Sequence, residues 1–467
     1  MPSSNLSRTT SSAGTSNQKF TMSLWIKKSS TDSAVRRLIE LYNSSSYYVS
    51  LRFRDDDSSK LDFYSESNGS ARNLRTNRLF RDSSAWYHIV LAVDTTLATA
   101  DDRMKIYVNG VQETSFSART NPSLNENLNF NNSGNGQYVG RAVGTETDRM
   151  FDGIMAHVHF IDGTAYDADD FGQTESSSGI WKPKSSPSVT YGTNGFFLKF
   201  QDSSALGDDS SGNTNDFTMS GTGTQTLDTP SNVFATMNPL INSGISYENG
   251  NLSVAGGADN NFGWGTLAGR MDSSSAGWYF EMKVDSGGTI GSGGRGMRMG
   301  IGSFDFAMSD GLGTDGGWSL SSDTGKLIQN TSGTYYLADN GGGNTVNLGV
   351  SSSVGDIINV AWKDSKIFIG INGTYYAADG GSDGDPANGT NPSHTVSSTY
   401  QSDAWIPVIA SSLSDGANGC DFNFGNGYFG TTAVVSANSD TAGLGQFEYS
   451  VPSGYYALCT KNIAEYG

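Results

Sequence analysis

Short runs in which apolar and polar side chains alternate one by one constrain the fold of this chain more than any other feature. The clearest run places four apolar side chains on one face: Phe20, Met22, Leu24 and Ile26. Because successive side chains of a β-strand point to opposite faces, this pattern predicts a strand with one face in a core. Similar runs occur at 47–53, 61–64, 86–93, 104–108 and 154–161, and later at 278–284, 299–302, 357–362, 366–371 and 406–410.

Turn-forming dipeptides separate these runs. Asn68-Gly69, Asn109-Gly110 and Asp152-Gly153 suit the positive φ of a tight turn. No segment shows sustained helical periodicity, and 59 glycines with only 16% charged residues do not suit a helical bundle. The sequence therefore predicts an all-β protein built of antiparallel β-sandwiches.

The length of 467 residues predicts two domains. Residues 1–184 hold 20 Lys and Arg against 21 Asp and Glu, whereas residues 185–467 hold 9 against 26, which supports two separate modules. The stretch 203–231 is rich in Gly, Asp, Asn and Thr, as expected of a linker. We therefore expect a first sandwich at 1–202, closed by a strand at 196–200, and a second at 232–467.

Four segments of the first half follow the strand order of a known group of domains. They are FTMSLWIKK at 20–28, WYHIVLAVDTT at 86–96, RMKIYVNGVQ at 103–112 and FDGIMAHVHFIDGTAYDADDFG at 151–172. On these segments, residues 1–200 resemble the laminin-G-like branch of the concanavalin A-like fold. The resemblance implies a jelly-roll sandwich.

Seven segments of the second half follow the strand order of another group of domains. They are GWYFEMKV at 277–284, RMGIGSF at 298–304, GWSL at 317–320, VGDIINVAWK at 354–363, KIFIGINGTYY at 366–376, WIPVIASS at 405–412 and CDFNFGNGYF at 420–429. On these segments, the second half resembles a SPRY domain. The resemblance implies a second concanavalin-like sandwich, whose partners would dock on loops at one end, including 305–318 and 379–394.

Composition excludes several functions. The acidic second half, within a net charge of −18, lacks the cationic face that a nucleic-acid backbone requires. The N-terminal segment MPSSNLSRTTSSAG has no signal-peptide features, and no stretch approaches the roughly 18 apolar residues of a membrane span. We expect neither nucleic-acid binding nor membrane insertion. Cys420 and Cys459 imply no disulfide framework, and we expect two buried thiols.

The concanavalin fold also hosts glycosidases, which need two carboxyl groups roughly 5–10 Å apart. Glu40 and Glu281 are the acids on predicted strands, and we expect neither to have a second acid two or four residues further along the same face. His157 and His159 share one face of a strand and could hold a metal, but outward polar positions beside inward Val158 and Phe160 are the favoured interpretation. We therefore expect a non-catalytic protein.

Two loop features concern ions. Calcium needs six to eight oxygen ligands, and laminin-G-like domains often bind it at a loop rim, so the resemblance implies loop acids as ligands. The candidates are Asp55, Asp57, Asp101 and Asp102. A basic series at spacing three, which we place in a loop, is expected to be solvated: Arg72, Arg75, Arg78 and Arg81.

Exposed aromatic side chains are the expected glycan contacts, because sugar rings stack on aromatic rings. The candidates are Tyr47, Tyr48 and Tyr64 in the first half, and Tyr335, Tyr336, Tyr375, Tyr376 and Trp318 in the second. Adjacent tyrosines on a strand face opposite ways, so one of each pair should be exposed.

The two modules, the intervening segment at 191–218 and the tail PSGYYALCTKNI at 452–463 together resemble structural proteins of marine tailed bacteriophages. This resemblance implies a virion surface protein, a tail fibre or capsid decoration, assembled in the host cytoplasm. Its partners would be other virion proteins, host-surface glycan and further copies of itself. The alternatives are a tail-associated polysaccharide-degrading enzyme and an architectural protein that cements the capsid.

Overall fold

The chain forms two separate all-β units. The computed structural model describes residues 4–29, 35–54, 59–143, 149–176, 179–242, 245–255, 261–271, 276–286, 298–304, 325–331, 333–338, 345–411 and 419–467. Its two compact units are Met1–Gln225 and Thr226–Gly467. Within those ranges, no helix combines the length and the apolar character that crossing a bilayer requires.

The first unit is a sandwich of two antiparallel sheets. Its strands are β1 (Asn5–Thr9), β2 (Lys19–Lys28), β3 (Arg36–Ser44), β4 (Tyr47–Phe53), β5 (Lys60–Ser67), β6 (Ser70–Leu79), β7 (Tyr87–Asp94), β8 (Met104–Val108), β9 (Val111–Gln112), β10 (Phe116–Thr120), β11 (Gly136–Val139), β12 (Gly153–Asp162), β13 (Gly172–Thr174), β14 (Trp181–Pro183), β15 (Phe196–Leu198) and β16 (Thr218–Ser220). Over the described residues, one sheet has eight strands in the order β10-β6-β5-β4-β3-β11-β1-β16. The other has six in the order β15-β12-β2-β7-β8-β9, and β13 and β14 form a separate hairpin.

The core of the first unit lies between these sheets and follows the predicted alternation. The four apolar side chains of β2 that point inward are fully buried, as the sequence predicts. They face a second set from the eight-stranded sheet that includes Ile39, Leu51 and Phe63. Strand β15 pairs with β12 and confirms that the chain returns at 196–200 to extend the first sandwich.

The outer face of the six-stranded sheet is also covered. Phe171, which follows the short 3-10 helix Ala168–Asp170, packs there with Val90 and Ile161. Trp181 on β14 lies at the edge of the same cluster. Residues 163–176 and 179–191 thus form a second layer over this sheet, which explains why even Trp25 is buried.

Most of the predicted linker is instead part of the first sandwich. Strand β16 pairs with β1 through Asn5–Ser220, Leu6–Met219 and Ser7–Thr218. Phe217 is buried in the first core, and its ring meets that of Phe196 edge-on at 4.6 Å between centroids. The prediction of a linker over 203–231 is therefore wrong for residues 203–225, because polar composition does not distinguish a linker from an ordered edge of a sheet.

Two of the three predicted turns have the expected backbone. Asn68-Gly69 and Asn109-Gly110 both have positive φ, and each joins two antiparallel strands. Asp152-Gly153 is not a hairpin turn, because Gly153 begins β12 with φ of 154°. A Cβ on Gly153 would lie 2.3 Å from the carbonyl oxygen of Lys27, so close approach of the backbone accounts for this glycine.

The second unit is also a β-sandwich. Its strands are β17 (Met237–Asn242), β18 (Ser246–Glu248), β19 (Ser253–Ala255), β20 (Asn261–Gly265), β21 (Gly269–Arg270), β22 (Gly277–Ser286), β23 (Arg298–Ser303), β24 (Gly325–Thr331), β25 (Thr334–Ala338), β26 (Thr345–Ser351), β27 (Ile357–Lys363), β28 (Lys366–Ile371), β29 (Thr374–Tyr376), β30 (His394–Thr395), β31 (Ala404–Ser411), β32 (Gly419–Asn423), β33 (Tyr428–Phe429), β34 (Thr432–Ala433), β35 (Asn438–Ser439), β36 (Gln446–Phe447) and β37 (Tyr455–Ala457), followed by helix α1 (Thr460–Tyr466). In the described part of this unit, one sheet follows the order β17-β20-β31-β23-β24-β25-β26, with β21 beside β31. The other follows β18-β19-β32-β22-β27-β28-β29, with β30 beside β28 and β37 beside β22.

The C-terminal segment covers the outer face of the second of these sheets. Phe447, Tyr455 and Ala457 pack against Tyr279 and Phe368 in a cluster separate from the core between the sheets. Pairing within the sheets is antiparallel except for β37, which runs parallel to β22. Cys420 and Cys459 are both buried and free, as the sequence predicts.

Phe217 provides a test of where the first unit ends. Phe217→Ala should lower the free energy of unfolding of the first unit by about 3 kcal/mol, because it removes a buried ring and leaves a cavity. Val435→Ala, at a side chain that is 89% exposed in the second unit, is the control and should change stability by less than about 0.5 kcal/mol. Urea unfolding of the whole chain measures both. Equal small effects would show that residues 203–225 do not belong to the first core.

Candidate functional site

Three tyrosines lie side by side on the outer face of the eight-stranded sheet of the first unit. Tyr42 on β3 is paired directly with Tyr48 on β4, and their ring centroids are 6.1 Å apart. Tyr64 on β5 lies 5.7 Å from Tyr48. All three side chains are partly exposed. We refer to Tyr42, Tyr48 and Tyr64 as the tyrosine row.

The alternation of each strand directs these rings away from the core. On β4, Val49 and Leu51 point into the core, so Tyr48 points to the opposite face. On β5, burial of Leu61 and Phe63 in the core likewise directs Tyr64 outward. The row therefore results from the pairing of three adjacent strands. Tyr42 lies directly opposite Tyr48, and Tyr64 lies diagonally across from Tyr48, opposite Ser50.

A β-bulge brings an arginine onto the same face. The register of β3 against β4 shifts between Arg37 and Ile39, so that Leu38 is an extra residue. Without the shift, Arg37 would share the inward face of Ile39. With it, Arg37 lies opposite Arg52 and reaches Glu40, at 2.5 Å between Nη1 and Oε2.

Ion pairs lie beside the tyrosine row. Asp62 on β5 binds two arginines, with 3.1 Å to Nε of Arg52 and 3.4 Å to Nε of Arg75. The guanidinium of Arg52 lies 4.3 Å from the centroid of the Tyr64 ring, within cation–π range. The guanidinium of Arg37 lies 5.9 Å from the ring of Tyr48. The paired arginines therefore lie next to two of the three rings of the row.

Burial changes the protonation equilibria of this face. Burial raises the pKa of Asp62, although the positive charges of Arg52 and Arg75 oppose the change. Burial also lowers the pKa of Arg52, against the attraction of Asp62. Burial and the hydrogen bond to Glu66, 2.7 Å long, raise the pKa of Tyr64, so that its hydroxyl stays protonated and donates.

The arrangement suits a ligand with apolar faces and hydroxyl groups. Aromatic rings bind the C–H face of a sugar, and neighbouring acceptors such as the Glu66 carboxylate bind its hydroxyls. Tyr48 and Tyr64 were predicted as contacts from the sequence, and the structure brings them together. Tyr42 was missed. The alternation of Ile39 and Leu41 with Glu40 was the signal that would have turned Tyr42 outward, but its pairing with Tyr48 depends on a register shift between Tyr42 and Ser44 that the sequence does not predict.

The other predicted aromatic contacts are scattered. Tyr47 is partly exposed at the start of β4 and alternates to the face opposite Tyr48. Tyr336 and Tyr375 are partly exposed in the second unit, and Tyr375 packs against the C-terminal cluster. Trp318 lies outside the described residues.

The prediction that Tyr335 and Tyr376 contact a glycan is wrong, because both side chains are buried. Tyr335 has no exposed surface, lies in the core of the second unit, and donates to Asp356 at 3.1 Å. Tyr376 belongs to the same core. Neither offers a free ring face to a ligand, because the phase of the alternation on each strand turns them inward.

In the described part of the chain, no group of three or more His, Cys, Asp or Glu could hold a metal ion. Asp101 accepts from Asn121 at 2.7 Å and pairs with Arg119 at 3.3 Å. Asp102 pairs with Lys105 at 3.2 Å. Asp55 and Asp57 lie outside the described residues.

The histidines of the first unit lie in the covered layer of the six-stranded sheet. His88 stacks on Trp25, and Nε1 of Trp181 donates to its Nδ1 at 3.0 Å. Because an indole nitrogen only donates, Nδ1 is the acceptor and Nε2 carries the proton toward Ser23 Oγ at 3.0 Å. Burial lowers the pKa of His88 to about 3, so the ring is neutral.

His157 and His159 are packing residues. Val158 and Phe160 point into the core as predicted. His159 is itself buried, and its Nδ1 lies 2.9 Å from the hydroxyl of Tyr191. Burial lowers the pKa of His157 to about 4. Both rings therefore lie on the outer face of the strand, as expected, but His159 is buried because Phe171 and Tyr191 cover that face.

The two acids considered for catalysis are enclosed. Glu40 is buried, pairs with Arg37 and accepts the backbone N–H of Val143 at 2.7 Å. Glu281, in the other unit, accepts from the Tyr279 hydroxyl at 2.8 Å and from the backbone N–H of Tyr449 at 2.9 Å. The expectation of no acid four residues further on is wrong for Glu281, because Asp285 lies there on β22. Four residues span roughly 13 Å along a strand, which exceeds the separation a glycosidase uses.

Glu281 makes the stability of the second unit depend on pH. Burial raises its pKa to about 7, despite the backbone donors that favour the charged form. Glu281 binds a proton more tightly in the folded state than in the unfolded state. Protonation of Glu281 therefore stabilises the folded second unit fully below pH 4.5, and this contribution is lost as the pH rises through 7. The raised pKa corresponds to roughly 3 kcal/mol between pH 4.5 and 8.

Glu281→Gln tests this dependence. The variant should be less stable at pH 5 by about 1–3 kcal/mol, since its amide nitrogen meets a backbone donor, and stability should fall less between pH 5 and 8. Urea unfolding at four pH values in that range measures the slope. Glu248→Gln, at an exposed position of β18, is the control and should keep the parent slope. If the free energy of unfolding of Glu281→Gln depended on pH as strongly as that of the parent, Glu281 would not be the source of the dependence.

A comparison with known protein families finds a match within the first unit. Residues 3–169 match the family model described as concanavalin A-like lectin/glucanases superfamily, laminin G type. A search of curated proteins finds no match.

Three solved structures are similar at low TM-score. Mouse laminin alpha1 chain, domains LG4-5, is 9% identical over 90% of this chain and 85% of that one, with a TM-score of 0.28. Tailspike protein 2 of Escherichia coli O157:H7 bacteriophage CAB120 is 14% identical over 35% of this chain and 22% of that one, at 0.26. The TRIM65 PSpry domain is 11% identical over 40% and 88%, also at 0.26. TM-scores this low give the three likenesses no weight in assigning function. The chain is an all-β protein of antiparallel β-sandwiches, and residues 3–169 of its first unit carry the match to the concanavalin A-like superfamily.

Proposed function

We propose that this chain is a non-catalytic adhesin on the exterior of a virion and that its tyrosine row binds glycans of the host surface. The observation that carries the proposal is the placement of three partly exposed tyrosines on adjacent strands, with ring centroids 6.1 and 5.7 Å apart. Such spacing lets consecutive rings of a sugar chain contact consecutive aromatic rings.

The rigidity of the platform favours binding. The rings stand on strands near the middle of an eight-stranded sheet, and ion pairs of Asp62 with Arg52 and Arg75 fix the side chains next to them. A preformed surface loses little conformational entropy when a ligand binds. The family description of residues 3–169, which names lectins together with glucanases, is consistent with a carbohydrate ligand.

The virion location is proposed from the order of the two modules, the intervening segment and the C-terminal tail, which together resemble structural proteins of tailed bacteriophages. Single stacking sites bind sugars weakly. Several copies of the chain on one particle would raise the overall affinity through avidity. We therefore propose a homo-oligomer that contacts other virion proteins.

Alanine substitutions in the row test glycan binding. Tyr48→Ala and Tyr64→Ala should each weaken binding by about 1–2 kcal/mol, roughly 5–30-fold, because each removes one stacking surface. Tyr428→Ala, at a partly exposed tyrosine of the second unit, is the matched control and should bind like the parent. A glycan array followed by calorimetry with the best oligosaccharide measures these effects. Parent-like binding by both row variants would refute the site.

Two further measurements separate the rival functions. Release of shorter oligosaccharides from host polysaccharide by the purified chain would show an enzyme instead of an adhesin. Antibody labelling of intact particles should mark their exterior. Particles that label only after disruption would favour the capsid-cement alternative.

A further inference from the structure

The outer face of the six-stranded sheet in the first unit holds three of the four histidines of the chain. They are His88 on β7 and His157 and His159 on β12. We infer that His88 and Trp181 form an acid-sensitive latch, which fastens the β13–β14 hairpin to this sheet and releases it when His88 takes up a proton. The latch lies on the other sheet from the tyrosine row, so it does not depend on glycan binding.

The latch is a hydrogen bond between two aromatic side chains. Nε1 of Trp181 donates to Nδ1 of His88 at 3.0 Å, and Nε2 of His88 lies 3.0 Å from Oγ of Ser23. An indole nitrogen can only donate, so the bond requires an Nδ1 that carries no proton. A proton on Nδ1 would set two donors against each other. Loss of this bond is therefore the direct result of protonation.

Burial of the imidazole adds to the effect. The ring centroid of His88 lies 4.7 Å from that of Trp25 and 5.9 Å from that of Trp181, and both pairs are stacked. His88 has no exposed surface. A charged imidazole enclosed in this way loses its hydration, which is costly, and regains it when the cover leaves. Protonation therefore favours the open state twice, through the lost hydrogen bond and through hydration.

The hairpin is built to move as one piece. Strands β13 and β14 form a separate two-stranded sheet, and Glu175 pairs with Lys182 within it. Its contact with the larger sheet is made by the ring of Trp181, which a Cβ on Gly110 in the β8–β9 turn would meet at 3.0 Å. Backbone bonds hold the layer on either side of the hairpin, from Gly163 N to Lys19 O at 3.0 Å and from Asp162 N to Tyr191 O at 2.9 Å.

Positive charge lies around the imidazoles. Burial lowers the pKa of His88 to about 3, and the nearby His157 acts in the same direction. Burial lowers the pKa of His157 to about 4, and Lys199, which follows β15, adds to that change. Burial and then both other histidines lower the pKa of His159. On β2, Lys27 shares the outer face of Trp25. Like charges therefore oppose a proton on His88 in the closed state.

The acids of the layer act on other groups. Burial raises the pKa of Tyr107 on β8, and the charges of Asp167 and Asp169 raise it further. The carboxylate of Glu175 is engaged by Lys182. The charge that acts on His88, in contrast, is that of another histidine. The closed layer therefore does not stabilise the imidazolium.

The direction of the pH dependence follows. In the closed state His88 binds a proton more weakly than in the open state, where its pKa returns to the ordinary 6.5. The closed state is fully favoured above pH 6.5. Below that value the equilibrium constant for opening rises by up to about tenfold per pH unit, until the pKa of the closed state is reached.

Thiol labelling of the whole chain tests the latch. Val90→Cys places a thiol beside His88 under the layer, and Val435→Cys, at an exposed position, gives the rate for an unprotected thiol. The ratio of the two rates with dithiodipyridine is the protection of position 90, and it cancels the effect of pH on the thiol. The parent chain corrects for Cys420 and Cys459. We expect protection to stay constant above pH 6.5 and to fall at least about tenfold between pH 6.5 and 5.

A third thiol separates local opening from unfolding. Val49→Cys lies in the core between the two sheets, which the hairpin does not cover. Its protection should stay at least about tenfold above that of position 90 at every pH, because a local opening leaves the core closed. Equal protection of positions 49 and 90 would show that the hairpin leaves only when the whole unit unfolds, and the latch would then be rejected.

Substitutions in the Val90→Cys background identify the titrating group. His88→Gln cannot take up the charge, so the fall in protection between pH 6.5 and 5 should shrink to threefold or less. His394→Gln makes the same change at the histidine of the second unit and should keep the full fall. Trp181→Phe keeps a ring but removes the donor, so protection should already be lower at pH 7.5 and the fall smaller. A full fall in both His88→Gln and Trp181→Phe would overturn the inference.

Discussion

Each sheet of a sandwich has two faces, and the partner sheet covers only one of them. In the first unit, residues 163–176 and 179–191 cover the second face of the six-stranded sheet with Phe171, Trp181 and Tyr191. In the second unit, the C-terminal segment covers one sheet in a similar way. The second face of the eight-stranded sheet in the first unit is instead built of tyrosines and internally paired charges. This division of faces is the reason why the tyrosine row is the surface that we propose for a ligand.

A polar face on a β-sheet must satisfy its own charges. Asp62 is fully buried and carries two arginines, and burial raises its pKa even so, which shows how strongly desolvation acts there. Breaking such a pair costs more than the pair contributes to stability, so these residues resist replacement one at a time. Two of the arginines also lie beside the tyrosine row, Arg52 at 4.3 Å from the ring of Tyr64 and Arg37 at 5.9 Å from that of Tyr48.

The same rule operates at Glu281 in the second unit. Its carboxylate accepts the backbone N–H groups of Glu448 and Tyr449, both at 2.9 Å, and so fastens the C-terminal segment to β22. From the sequence alone, Glu281 was a candidate only for a catalytic acid. Its burial and its four donors identify it instead as an internal anchor of the fold.

The alternation of apolar residues was sufficient to predict the all-β class and most central strands, because burial of one face imposes a period of two. It also placed Tyr48 and Tyr64 correctly. It failed where the register changes. The bulge at Leu38 reverses the phase of β3, and nothing local distinguishes Arg37 from an inward position. Similarly, Tyr335 and Tyr376 occupy opposite places in two Tyr-Tyr pairs, yet both point inward, because each strand has its own phase.

Segments of low hydrophobicity were the other source of error. Ser70–Leu79 forms a central strand although it is polar, because its hydrogen bonds and ion pairs come from β5, β10 and distant acids. Residues 203–225 belong to the first sandwich for the same reason. Long-range pairing of polar segments leaves no signature in composition, so it emerges only from the folded structure.

Both units join their first residues to their last. Strand β1 pairs with β16, and Phe234 forms a bridge with Cys459, next to the hydrogen bond from Thr460 N to Val233 O of 2.9 Å. During synthesis, neither sandwich can therefore close until its final strand has left the ribosome, and contacts so distant in sequence form slowly. A nascent chain of this kind passes through a long interval with unpaired strand edges, in which chaperones and neighbouring copies compete for the same hydrogen bonds.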